Sequence, residues 1–179
     1  MINQKKLQER INWHPHEKQQ LILDNLKRFN WVMAGTRFGK TILAAYLALI
    51  YLLEKNKNVW IISPTYDLAM RTYKYLFQWL ARGFSGSIRE GTIKMSDRVG
   101  STFIKNFATG SWIKWKSAEN PTSLLGEEVD LAILDECSRI SRNDYEAYIY
   151  PRTSSRKGMI FGISTPLGQN WFFEEFNKK

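Results

Sequence analysis

Residues 29–53 place an apolar run, FNWVMA, before a glycine-bearing loop, AGTRFGKT, and then a second apolar run, ILAAYLALIYLL. The first run reads as a buried strand. The second has no Gly or Pro and is apolar on nearly every face, so it reads as a buried helix. A strand joined to a helix through such a loop builds an anion site. Backbone N–H groups of the loop turn inward, and the helix aims its positive end at the bound charge. Ala34, Gly35, Thr36, Arg37, Phe38, Gly39, Lys40 and Thr41 are therefore expected to cradle a triphosphate. Gly39 lets the backbone approach closely, Lys40 supplies charge to the β- and γ-phosphates, and Thr41 offers a hydroxyl to Mg2+. Ala34 stands where the GxxxxGK[ST] pattern has its first glycine.

Such a loop needs a carboxylate for Mg2+ and a group to activate water. VDLAILDE at 129–136 supplies both. Asp135 ends an apolar strand and is expected to hold Mg2+. Glu136 follows and is expected to act as general base. Neighbouring residues point in different directions, so the two acids can take different tasks.

The remaining pattern is strand and helix in alternation. Residues 17–28 read as a helix, 59–63 as a buried strand, 66–80 as a helix and 83–91 as a loop. Residues 92–117 alternate in short segments split by VG and ATG, which predicts an antiparallel hairpin or meander, inserted or at an edge. Residues 129–134 and 159–164 read as buried strands, and 143–150 as a helix ending before Pro151. Residues 171–176 read as a last helix. Apolar strands alternating with helices predict a three-layer α/β fold with a mainly parallel sheet. The expected division is one domain over 1–179, with an N-terminal segment, 1–28, before a core, 29–176.

Lys and Arg number 26 against 17 Asp and Glu, for a net charge of +9. Residues 1–60 hold 10 basic and 4 acidic groups, residues 61–120 hold 9 and 4, and residues 121–179 hold 7 and 9. A polyanion such as DNA is thus a plausible partner. One cysteine, Cys137, excludes an internal disulfide and a cysteine-built zinc site. It could be a reactive thiol or a small residue in a tight turn. The longest apolar run, Ile42–Leu53, is 12 residues, too short for a bilayer, and the N-terminus is polar. A soluble chain in a reducing compartment is expected, with no membrane partner.

These pieces together resemble the ATPase domain of the large terminase subunit of tailed bacteriophages, from about Trp13 to Phe176. The resemblance rests on HPHEKQQLIL, the loop with its arginine before Phe-Gly-Lys-Thr, VWIISPTYDLA, NPTSLLGEEVDLAILDE and FGISTPLGQNWFFEEF. It implies a P-loop ATPase with an added-strand catalytic glutamate, using ATP and Mg2+ to drive double-stranded DNA into a procapsid. Gln19 then looks like the glutamine that reads the adenine edge, with Gln20 a neighbouring alternative. Arg37 matches the loop arginine that contacts the γ-phosphate. Ser164 and Thr165 match a coupling motif that reports hydrolysis. Portal protein and small terminase subunit are implied as partners. A homo-oligomeric ring in the host cytoplasm is implied too, with Arg98, Arg139, Arg142 or Arg152 as an arginine finger supplied in trans. The family's nuclease domain has no room before Lys179, so DNA cleavage is not expected of this chain.

Two rival readings remain open. One is a helicase-like translocase, although DECS departs from the usual helicase box and no second motor domain follows. The other is a DNA-binding module whose nucleotide site does not hydrolyse. The alternation Trp112-Ile113-Lys114-Trp115-Lys116 is either a DNA contact or a strand with one packed and one solvated face.

Overall fold

The computed structural model describes residues 2–178. One seven-stranded sheet organises them, in the order β1-β7-β6-β2-β5-β4-β3. The strands are β1 (Phe29–Met33), β2 (Asn58–Ser63), β3 (Ile93–Ser96), β4 (Phe103–Asn106), β5 (Ser111–Ser117), β6 (Leu131–Asp135) and β7 (Met159–Ser164). The helices are α1 (Gln4–Ile11), α2 (Glu17–Asp24), α3 (Lys40–Leu53), α4 (Tyr66–Gly83), α5 (Ser85–Arg89), α6 (Arg142–Asp144), α7 (Tyr150–Ser154) and α8 (Trp171–Asn177).

Strands β1, β7, β6, β2 and β5 pair in parallel. Strands β3, β4 and β5 pair antiparallel. The meander at 92–117 is thus the far edge of the same sheet, because β5 also lies parallel to β2. Both faces of the central strands are covered. Ile61, Ile133, Phe161 and Ile163 pack on α3 and α4 in one core, while Trp60, Ile62, Ala132 and Leu134 face a second core that includes Trp171 and Phe172. This two-sided burial explains why β6 reads as an unbroken apolar run; all five of its residues are buried.

Several local expectations are corrected. An unforeseen helix, α1, buries Leu7 and Ile11 and ties to the end of α4, where Arg10 Nε donates to Gly83 O at 2.5 Å. The helix expected over 17–28 stops at Asp24. Residues 83–91, expected as a loop, contain α5. The helix expected to stop before Pro151 continues to Ser154. A π turn over Tyr145–Ile149 precedes α7, and Tyr150 N–H bonds Tyr145 O. Pro151 then falls in the first turn of α7, where a missing N–H costs little.

Gly162 fixes the seat of Trp31. The two residues are paired across β1 and β7, and a Cβ on Gly162 would land on the Trp31 ring. That ring meets Tyr145, Trp171 and Phe172 edge to face. Gly162→Ala is therefore expected to lower unfolding free energy by about 2–3 kcal/mol through overpacking. A denaturant titration would show it, and an unchanged midpoint would contradict the packing described.

Candidate functional site

Parallel pairing brings three strand ends to one edge. Met33 at the end of β1 lies beside Ser164 at the end of β7, and Asp135 at the end of β6 lies beside Ile163. The loop 34–39 leaves β1 here and enters α3 through Gly39, which has φ of 84°. Ala34 N–H donates to Ser164 O at 3.1 Å, stitching the loop to β7. Arg37 also adopts a positive φ, 67°, at the exposed tip of the loop. It makes no side-chain hydrogen bond among the described residues.

Lys40 is buried, and its Nζ donates to Ala34 O and Gly35 O, both at 3.0 Å. The side chain thus curls back across the loop mouth. Thr41 Oγ1 donates to Asp135 Oδ2 at 3.1 Å. The other carboxylate oxygen, Asp135 Oδ1, is buried without a hydrogen-bond partner among the described residues. An anionic oxygen left free beside a hydroxyl fits Mg2+, which takes one or two protein ligands and completes its shell with phosphate and water. Among the described residues there is no cluster of three or more His, Cys, Asp or Glu that would hold a metal by itself.

Burial is the largest influence on Asp135 and pushes its carboxyl up to about 6. The Thr41 bond opposes this, the Glu136 charge adds to it, and the Glu136 backbone and Lys40 oppose it. The folded chain therefore holds this proton more tightly than the unfolded chain does. The contribution to stability is complete below about pH 4 and is lost as pH rises through about 6. Asp135→Asn should make the ligand-free protein more stable at pH 7 by about 2–3 kcal/mol and flatten its stability between pH 4 and 7. Urea unfolding without nucleotide would measure both, and a less stable variant would contradict the assignment.

Glu136 adopts φ of 54° and turns away from β6. Its Oε2 accepts from Thr165 Oγ1 at 3.0 Å and Ser164 Oγ at 3.3 Å. The acid pair therefore divides, with Asp135 joined to the loop threonine and Glu136 to the hydroxyls after β7. Cys137 points into the second core instead. Burial pushes its thiol well above the usual range, so the small-residue reading holds.

Gln19 is buried at the start of α2. Its Nε2 donates to Phe38 O at 3.1 Å and Gly39 O at 3.2 Å, and its Oε1 accepts from His16 N–H at 3.2 Å. The amide is thus engaged with the loop backbone. His16, which the sequence did not single out, caps α2 and places Nε2 3.1 Å from Phe38 O. Its signal was the capping pattern, a polar residue three before Gln19. Gln20 instead bonds Asp24.

An open cleft of about 400 Å³ adjoins Thr41, walled by Arg71, Lys74, Tyr75 and Gln78 of α4. Of the four arginines considered for supply in trans, Arg142 is held by Glu146 at 2.7 Å and Glu174 at 2.8 Å. Arg152 is half-buried, and Arg98 and Arg139 are exposed. The Trp112–Lys116 alternation splits as a strand with two different faces. Ile113 and Trp115 enter the first core, while Lys114 and Lys116 reach Glu127.

The family model for the T4-like type of terminase large subunit, N-terminal region, matches residues 31–179. The chain belongs to the terminase large subunit family. The large terminase subunit of Thermus virus P23-45 is 31% identical over 94% of this chain and 37% of its own length. That of Thermus phage G20c is 29% identical over the same shares, 94% and 37%. The chain thus spans little more than a third of these relatives. The large terminase ATPase domain of Thermus phage P74-26 superposes with a TM-score of 0.79 at 28% identity, covering 94% of this chain and 72% of that one. The bacteriophage HK97 large terminase shares the fold with a TM-score of 0.74 at 16% identity, over 92% of this chain and 38% of that one. So does the large terminase of a thermophilic bacteriophage solved in complex with ATP-γ-S, with a TM-score of 0.53 at 13% identity, over 89% and 37%. The α/β architecture is that of large terminase ATPase domains. Among the described residues no helix is long and apolar enough to cross a membrane.

Proposed function

We propose that this chain hydrolyses ATP with Mg2+ and that the hydrolysis drives double-stranded DNA into a procapsid. The Thr41–Asp135 bond carries the reading, because it joins the phosphate loop to the strand end that presents Glu136. Family membership and the ATP-γ-S held by the thermophilic bacteriophage's terminase support it. Lys40 would exchange the carbonyls of Ala34 and Gly35 for phosphate oxygens. Thr41 and Asp135 would hold Mg2+, whose role is to neutralise charge on the phosphates. Glu136 would take the proton of the attacking water, steadied by Ser164 and Thr165. Gln19 and His16 would hold the Phe38–Gly39 turn in shape. An adenine-reading role for Gln19 requires its amide to leave those carbonyls.

The motor role extends to partners. The positive charge of the first 120 residues suits DNA phosphates. Portal protein, small terminase subunit and a ring of copies are proposed from family membership, as is action inside the host cell at the procapsid. Arg98 and Arg139 are the exposed trans candidates that no carboxylate holds among the described residues. The test is a reconstituted packaging reaction using the whole terminase with ATP, Mg2+ and procapsids. DNA should become nuclease-resistant, and chelating Mg2+ should prevent it. Packaging that proceeds without divalent metal would overturn the proposal.

A further inference from the structure

Ser138 is buried in the 3-10 turn Cys137–Arg139, directly after Glu136. Its N–H donates to Ser164 Oγ at 3.3 Å. Its hydroxyl lies 2.5 Å from Ser164 Oγ and 3.3 Å from Thr165 O. Ser164 Oγ in turn lies 3.3 Å from Glu136 Oε2. Each hydroxyl has one proton to give. If Ser138 donates to Ser164, the Ser164 proton is left for Glu136. If Ser164 donates to Ser138, the Ser138 proton goes to Thr165 O, and Glu136 keeps only the Thr165 hydroxyl. The pair therefore has two arrangements, which differ by one hydrogen bond on the carboxylate.

From this geometry we infer that Ser138 is a positioning residue that lets Ser164 release Glu136. The inference rests on the proposed hydrolase reading. The Thr165 and Ser164 hydroxyls both bond Oε2 and together fix the orientation of the carboxylate. Rotation of the Ser164 hydroxyl from Glu136 to Ser138 frees one lone pair of the carboxylate without moving the backbone. Ser138 also connects outward, since Asn170 Nδ2 donates to its carbonyl at 3.0 Å and Asn170 Oδ1 caps α8 by accepting from Phe173 N–H at 3.1 Å. Displacement of α8 would thus reach the same serine pair.

Ser138→Ala removes the alternative acceptor and leaves Ser164 donating to Glu136. Turnover should fall roughly tenfold, the size of one hydrogen bond to a charged group, with KM and nucleotide affinity unchanged. Ser138→Thr, which keeps the hydroxyl, should restore turnover. In a Ser164→Ala background, Ser138→Ala should cost nothing further, because its route to Glu136 is gone. Wild-type turnover is read first, and its absence overturns the hydrolase reading and this inference with it. A turning-over wild type with an unaffected Ser138→Ala, or with equal losses in both backgrounds, overturns the role of Ser138 alone.

Discussion

Glu136→Gln is expected to lower ATP turnover by about 10²–10⁴-fold, the usual contribution of a positioned general base, while nucleotide binding stays near wild type. Glutamine has the shape of glutamate, and its Oε1 can still accept from Thr165 Oγ1 and Ser164 Oγ, so the left-handed turn at this residue should persist. What is lost is the capacity to take a proton. Binding is spared because the carboxylate is engaged by the hydroxyls after β7 and not by the 34–41 loop. Phosphate release and nucleotide titration on the same sample separate the two effects. Equal losses in both would mean that Glu136 supports the site structurally.

Lys40→Ala is expected to act the other way, weakening nucleotide binding by about a hundredfold, as the loss of roughly 3 kcal/mol from charge-assisted contacts implies. The ammonium is buried and sits against two loop carbonyls, so it is held over the space the loop encloses. The helix N-terminus and the loop N–H groups still attract anions, but they lack a full charge. Turnover should vanish along with binding at ordinary nucleotide concentrations. Isothermal titration with ATP and Mg2+ tests this, and an unchanged affinity would remove Lys40 from the site.

The placement of the candidate site was more legible in the sequence than its supports. Lys40, Thr41, Asp135 and Glu136 stand where backbone geometry forces them, at a strand-to-helix turn and at a strand end. Their spacing therefore reports where they meet. The parallel sheet was legible for the same reason, because strands covered on both faces must be apolar throughout. The supports have no such period. Helix α1 buries only Leu7 and Ile11, too few to mark a face in a polar segment. The helix through Pro151 depends on a π turn that no composition signals. Ser138 and His16 act through hydrogen bonds to partners that lie 26 and 22 residues away. Such pairings exist only once β7 is laid between β1 and β6 and α2 is docked on the loop. Trp112 to Lys116 shows the limit from the other side. An alternation that could serve DNA is used to seat Ile113 and Trp115 in the core and to pair Lys114 and Lys116 with Glu127.

The most direct measurement is phosphate release from ATP by the wild-type protein and by Glu136→Gln, with Mg2+ and with a chelator, and with nucleotide binding read on each sample. The account predicts turnover only in the wild type with Mg2+, and binding in both proteins. Turnover retained by Glu136→Gln, or failure of both proteins to bind ATP, would contradict it.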